Sequence, residues 1–285
     1  MGLGGYLTWT SVAREIRKRS GKNISILPVE QHGSFIKIVD SEVFRHNDDF
    51  ISFRNESVKS VHDHYIFPLI LNNPDANYCK RDTIEKAFHR PDMHIIHQIC
   101  ECYNIKNSEL KCILNLDQKE RLFASDFHER VLNGERFVTI EPFSKDNYTP
   151  NRRYPFEKWQ KIVDSVSDKI KVVQLGNSEN VLNNVIDMTK KTTFRKAISI
   201  IERSRLFMSS ESGLVHGATA VDTTSVVIIT GYQDERMVAY PQNINVNISS
   251  HGPCGMKVEC NLCTNDAESH NCEEIIDAVQ EELCL

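Results

Sequence analysis

The sequence predicts an α/β protein whose second half is a doubly wound parallel sheet. From Arg136 onward, short runs rich in Val and Ile alternate with amphipathic segments of helix length. That alternation builds a parallel sheet with right-handed crossovers. Hydrophobic residues make up 40% of the 285 and charged residues 26%, so a full core can be buried and a disordered or disulfide-stapled chain is excluded. At roughly 150 residues per domain the length suits two domains. The boundary is expected near Asn133-Gly134, giving an amino-terminal domain over 1–133 and a carboxyl-terminal one over 134–285.

In the first half, Leu7 to Ser20 carries Trp9, Val12, Ala13 and Ile16 at helical spacing, a basic last turn and Gly21 as a stop. Ile24–Leu27 and Tyr65–Phe67 read as strands, and Met93 to Tyr103 as a helix. Asp117 to Leu132 is a helix with Asp117 as N-cap, Glu120 at the capping-box position and Asn133-Gly134 as its end. In the second half, Phe137–Ile140, Lys171–Leu175, Leu206–Met208 and Val226–Ile229 are the strands. Helices run from Pro155 to about Ser167, around Phe194–Ile201 and from Ser212-Gly213 onward.

The balance of 34 Lys+Arg against 39 Asp+Glu gives a net charge of -5, which argues against a nucleic-acid binder but not against small phosphate-bearing ligands. No window reaches the ~18 apolar residues of a membrane helix. The amino terminus lacks the basic and apolar regions of a secretory signal, so a cytoplasmic protein is expected. Cys254, Cys260, Cys263 and Cys272 fall within nineteen residues around a central C-x-x-C. In a reducing compartment this reads as a structural metal site, zinc or iron, spanning 251–272, with His251 and His270 as spare ligands. The other cysteines read as small buried residues, and His94 and His97 as packed.

In open parallel sheets, ligands bind beyond the carboxyl ends of the strands. Two loops at such ends carry suitable groups. One runs from Glu141 through Ser144 to Arg152-Arg153, where a guanidinium suits a diphosphate or simply solvent. The other is Ser209-Ser210-Glu211-Ser212-Gly213-Leu214-Val215-His216, where Ser212 and Gly213 place backbone N–H groups at a helix start and Glu211 suits ribose or sugar hydroxyls.

Ser210-Glu211-Ser212-Gly213-Leu214-Val215-His216-Gly217-Ala218 resembles the D-[ST]-G-x-x-H-x-A signature of the heptosyltransferase family, glycosyltransferase family nine, with a GT-B fold of two Rossmann-type domains facing a cleft. Lys191–Arg195 through Met208 resembles its K-T-S-[LF]-R lead-in, Arg152–Trp159 its K-x-W-P-x-E-x-W block, and Gly176–Glu179 its G-x-x-x-E turn. Gly2–Leu7 resembles the G-D-x-[LI] opening, and the match is good over 136–275 and thin over 20–130. The resemblance implies a glycosyltransferase moving a heptose-like sugar from a nucleotide-diphosphate donor to a saccharide or protein hydroxyl, without an organic cofactor. Ser144, Arg152, Glu179, Glu211, Ser212, Gly213 and His216 would hold the donor, Glu179 at the ribose. The cysteine cluster is similar to the iron finger of autotransporter heptosyltransferases.

Gly5 stands where the family carries its acidic base. The catalytic base is therefore unassigned, with Glu30, Asp40 and Glu141 as substitutes, and the alternative is a nucleotide-sugar-binding or assembly protein without turnover. The family's opening strand would precede Met1, so an amino-terminal sheet one strand short, or an unusual start, is expected. Donor base, acceptor and oligomeric state stay open.

Overall fold

The computed structural model describes residues 2–20, 24–51, 65–71, 79–81, 83–143 and 148–285. Among them the order is α1 (Leu3–Ser20), β1 (Ile24–His32), β2 (Phe35–Ile38), β3 (Tyr65–Leu71), β4 (Cys79–Arg81), β5 (Ala87–His89), α2 (Ile95–Glu101), α3 (Gln118–Val131), β6 (Phe137–Glu141) and α4 (Phe156–Asp164). Then come β7 (Lys171–Gln174), β8 (Ile186–Asp187), α5 (Phe194–Ile201), β9 (Phe207–Ser210), α6 (Gly213–Ala220), β10 (Ser225–Ile229), α7 (Glu235–Val238), β11 (Ile244–Asn247), α8 (Asn261–Ser269) and α9 (Glu273–Leu283).

The second half forms a six-stranded sheet in the order β11-β10-β9-β6-β7-β8, every pair parallel. Its central strands are buried on both faces, as the unbroken apolar runs require. The chain leaves β6 toward β7 on one side and returns through β9 on the other, so the switch point lies between β6 and β9, where Glu141 pairs with Ser209. In the first half β1 pairs parallel with β3 and antiparallel with β2, and β4 and β5 form a hairpin.

One face of the large sheet is covered by Trp159, Ile162 and Val163 of α4 and by Ile275, Ile276 and Val279 of α9. The other face shares one apolar cluster with the first half: Leu7, Trp9 and Val12 of α1 and Ile96 and Ile99 of α2 join Ile198 of α5 and Leu214 and Val215 of α6. Helix α1 begins at Leu3 rather than Leu7. Its Gly4 packs so closely on α6 that a Cβ there would lie 2.7 Å from the Gly213 Cα. This tertiary contact overrides the helix-weakening effect of two glycines. The predicted α2 is trimmed to Ile95–Glu101, because the His94 Nδ1 accepts from the Ile96 N–H and so caps it.

The capping box of α3 is present: Asp117 Oδ1 accepts from the Glu120 N–H at 2.8 Å, and Glu120 Oε2 from the Asp117 N–H at 2.8 Å. Glu120 also pairs with Arg195 of α5, which is 2% exposed. Arg195 Nη2 donates to Glu120 Oε2 at 2.8 Å and to the Asn115 carbonyl at 2.6 Å, and Nη1 to the Glu42 carbonyl at 2.9 Å. One guanidinium thus ties α5 to α3 and to two amino-terminal loops. Arg195→Ala removes the partner of a half-buried carboxylate, which keeps the Asp117 N–H, and of two carbonyls, and is expected to lower unfolding free energy by about 2–3 kcal/mol in urea titrations. A loss below ~1 kcal/mol would mean that the apolar contacts alone hold the halves together.

Candidate functional site

The carboxyl ends of β6, β9 and β10 converge at the switch point. There Arg152 Nε lies 3.1 Å from Glu211 Oε2, with the carboxylate side chain 4% exposed. The Arg152 charge and the Thr230 backbone both favour the ionised carboxylate. Burial pushes the Glu211 carboxyl up to about 7, against the pull of the Arg152 charge. Arg152 Nη2 donates to Gln233 Oε1, and the guanidinium lies 4.9 Å from the Tyr232 ring centroid and 5.4 Å from that of Tyr148. Lys257 sits 3.2 Å from the Tyr148 ring centroid, its Nζ donating to the Tyr232 hydroxyl at 2.8 Å. Two cations and two aromatic rings therefore share this end of the sheet.

Asn151, 4% exposed, fixes the loop that carries Arg152. Its Nδ2 donates to the Met256 and Val258 carbonyls, each at 2.8 Å, and its Oδ1 accepts from the Cys260 N–H at 2.8 Å. Its carbonyl accepts from the Thr230 hydroxyl at 2.7 Å. The loop is thus bonded to the end of β10 and to the cysteine segment at once.

Helix α6 opens with no side-chain cap on its first N–H groups and no acidic residue in its first turn. The first turn of α1 also lacks an acidic residue. The two helix starts meet at Gly4 and Gly213, so their partial positive charges add. One turn on, His216 Nδ1 is hydrogen-bonded to the Tyr240 hydroxyl at 2.7 Å; burial, then the Arg152 charge, lowers its pKa to about 4. The imidazole is neutral at pH 7. On the other side of the switch point, Glu141 is partly exposed but its Oε2 is buried and unpartnered. Burial raises its pKa to about 7, with the Ser212 hydroxyl opposing. Gly176, at φ +100°, leaves room for it, since a Cβ there would lie 3.1 Å from Glu141 Oε1.

Of the predicted donor residues, Arg152, Glu211, Ser212, Gly213 and His216 are brought together. Ser144 lies outside the described residues. Glu179 is apart: its side chain is 87% exposed and paired with Lys190. Lys257, Tyr232, Gln233 and Asn151 were not anticipated. A signal for two of them was present, since Tyr232 and Gln233 follow the run Val226–Ile229 at the carboxyl end of a strand.

Cys254, Cys260 and Cys263 present thiols within 4.8 Å of one another. Three sulfurs at this spacing fit a tetrahedral metal ion. Cys272, expected as the fourth ligand, lies outside that group, 5% exposed among the apolar residues of the second cluster. His270 bonds Tyr154 and Glu274 instead. Cys100 and Cys112 are buried as expected, whereas Cys102 and Cys284 are exposed. Among the described residues no helix is long and apolar enough to cross a membrane.

These features define a GT-B-like α/β protein with a cation beside an uncapped helix start at its switch point and a cysteine finger. The sequence profile of glycosyltransferase family 9 (heptosyltransferase) matches residues 83–265, and the chain belongs to that family. A glycosyl transferase family 9 protein from Veillonella parvula is similar in structure at 11% identity, over 100% of this chain and 95% of its own, with a TM-score of 0.67. The iron-containing dodecameric glycosyltransferase TibC from enterotoxigenic E. coli is similar at 13% identity over 99% of this chain and 74% of its own, with a TM-score of 0.66. A second structure of TibC, in complex with ADP-D-beta-D-heptose, is similar at 12% identity over the same shares, with a TM-score of 0.65. No curated protein sequence matches the chain.

The raised Glu141 pKa has a stability consequence. A carboxyl whose pKa rises from 4.5 unfolded to about 7 folded favours folding below pH ~4.5 and loses that contribution as pH climbs through ~7. Glu141→Gln is expected to remove this part of the slope, so the urea midpoint difference between variant and wild type should grow in the variant's favour between pH 5 and 7. A difference independent of pH would show that Glu141 is ionised in the folded protein throughout.

Proposed function

We propose that the protein transfers a sugar, heptose-like, from a nucleotide-diphosphate donor to a saccharide or protein hydroxyl. The observation that carries this reading is the placement of Arg152 beside the Glu211–His216 segment at the switch point, where uncapped N–H groups of α6 face the start of α1. The donor diphosphate lies across these N–H groups, with Arg152 and Lys257 as its cations and Ser212 as a hydroxyl donor. The negative charge that builds on the departing diphosphate is what these groups stabilise. Glu211 and Glu141 accept from sugar or ribose hydroxyls. The nucleoside occupies the neighbouring cavity of about 620 Å³, whose lining includes Phe143, Tyr154 and Phe156.

A second cavity, of about 760 Å³, opens beside the start of α1 and is lined by Tyr6, Glu30, Lys37, Asp40, Arg45 and Thr193 among others. We assign it to the acceptor. Gly5 has no proton-accepting group, and Glu30, whose Oε1 accepts from the Tyr6 hydroxyl at 3.1 Å, takes that role. The acceptor O–H proton passes to Glu30 as the oxygen bonds the anomeric carbon and the bond to the diphosphate breaks. Cys254, Cys260 and Cys263 would hold a structural metal, which would cross-link the finger segment bonded to Asn151 beside Arg152.

Calorimetry with ADP tests the donor half. Arg152→Ala is expected to weaken binding about 10- to 100-fold, since it removes a charge-assisted contact; unchanged affinity would sink the assignment. Glu30→Gln is expected to slow ADP release from ADP-heptose across a saccharide and protein acceptor panel by about 10²- to 10⁴-fold, with ADP affinity unchanged. Gly5 also favours a second reading, a binding or assembly protein without turnover. ADP-heptose binding with no ADP release from the wild type would establish it.

A further inference from the structure

Given the donor reading of the switch point, on which this depends, we infer that Tyr240 is a positioning residue of that site. Its hydroxyl donates to His216 Nδ1, which leaves the imidazole proton on Nε2 for a diphosphate oxygen. Tyr240 follows α7, is fully buried, and touches both halves of the chain. On one side its hydroxyl lies 2.7 Å from His216 Nδ1 of α6. On the other it lies 3.1 Å from the Sγ of Cys112, in the loop between α2 and α3. The ring of His94, at the start of α2, packs against the phenol with centroids 4.8 Å apart. The backbone is fixed on both sides. The Tyr240 carbonyl accepts from the Asn243 N–H and from Asn245 Nδ2, each at 3.1 Å. The Ile113 N–H, next to Cys112, donates to Thr10 Oγ1 of α1 at 2.9 Å.

Burial keeps both the thiol and the phenol protonated, pushing Cys112 up to about 12 and Tyr240 well above the usual tyrosine value. Their two protons can be placed in two ways. In one, the Cys112 S–H donates to the Tyr240 oxygen and the phenol O–H donates to His216 Nδ1. Every proton then has an acceptor, and the phenol meets a good one, an imidazole lone pair. In the other, the phenol donates to sulfur, a weak acceptor, while an Nδ1–H donates to the phenol oxygen. The buried thiol proton then loses its acceptor, and Nε2 turns a bare lone pair toward any anion at the helix start. The first arrangement wins on both counts. It sets the tautomer of His216 through the nitrogen away from the ligand. His216 is half-buried, and its Cδ2, the carbon bonded to Nε2, would lie 3.1 Å from a Cβ placed on Gly4. The Nε2 edge of the ring therefore adjoins the meeting of the α1 and α6 starts, where it adds one side-chain N–H to the uncapped N–H groups of α6.

The test uses the full chain with isotope-labelled histidine, and ADP as the probe. Long-range proton–nitrogen NMR, with the His216 signals assigned by their loss in His216→Gln, is expected to show the proton on Nε2 and a hydrogen-bonded Nδ1. Tyr240→Phe keeps the ring and removes the hydroxyl. It is expected to move the Nδ1 resonance to that of a nitrogen without a hydrogen bond, and to weaken ADP binding about tenfold in calorimetry. A glutamine amide reaches the Nε2 position and an asparagine amide only the Nδ1 position. His216→Gln is therefore expected to bind ADP about tenfold more tightly than His216→Asn. A proton on Nδ1 in the wild type, an unmoved Nδ1 resonance in Tyr240→Phe, or equal ADP affinity in His216→Gln and His216→Asn would overturn the inference. Should Tyr240→Phe fail to fold, the wild-type tautomer and the comparison at His216 decide. No ADP binding by the wild type would overturn the donor reading and this inference together. ADP binding that Arg152→Ala weakens and Tyr240→Phe does not would overturn this inference alone.

Discussion

A carboxylate walled off from water persists as a charge only beside a cation. Glu211 is such a carboxylate, set by the end of β9 at the switch point of the sheet; burial raises its pKa to about 7, and Arg152 is the cation that opposes the rise. The position of Arg152 is therefore the constraint around which the neighbourhood is built. The guanidinium is held from below by Glu211, from the side by Gln233, and faces the rings of Tyr148 and Tyr232. Its loop is held by Asn151, whose side chain bonds the backbone of Met256, Val258 and Cys260 in the finger segment. The thiol cluster is thus mechanically connected to the loop that carries Arg152. The chain of bonds runs from the thiol of Cys260 through its own N–H to Asn151 and on to the next residue, Arg152. Loosening the finger segment would free the loop and leave Glu211 without its counter-charge, so the cysteine segment and the switch point are coupled.

The second constraint is the glycine contact between α1 and α6. Two helix starts of like partial charge do not meet by preference. Here they are forced together by the apolar cluster behind them, in which Leu7 and Trp9 face Leu214 and Val215, and the absence of side chains at Gly4 and Gly213 lets the backbones touch. With no acid in either first turn, a phosphate is the natural neutraliser. The same packing explains why the first-half elements lie on the sheet face and share its core.

The second half was legible because parallel strands buried on both faces leave unbroken apolar runs, and Phe137, Lys171, Phe207 and Ser225 all begin strands within a residue or so of where the pattern places them. The capping box at Asp117 and Glu120 was equally plain, being a local device. The start of α1 was not legible, because two glycines speak against a helix and the contact that outweighs them lies about 210 residues away in sequence. The role of Arg195 was hidden for a similar reason: within its motif it reads as a basic residue, and only the fold brings Glu120, Asn115 and Glu42 to it. Glu179 illustrates the opposite error, where a motif position exists but its side chain turns to Lys190 at the surface.

The finger shows most sharply what spacing conceals. Four cysteines in nineteen residues invite a four-sulfur site, and the fold brings three of their thiols together. Spacing, however, carries no information about what lies between the ligands. Eight intervening residues in an extended loop would let Cys272 fold back; in α8 they form a strut. Ligand sets follow from the rigid elements that separate the candidates, and in this chain that element is a nine-residue helix anchored by Lys158, whose Nζ donates to the carbonyls of Ala267, Glu268 and His270. Lys158 thus holds the end of α8 in place, and Cys272, just beyond it, packs in the core away from the three clustered thiols.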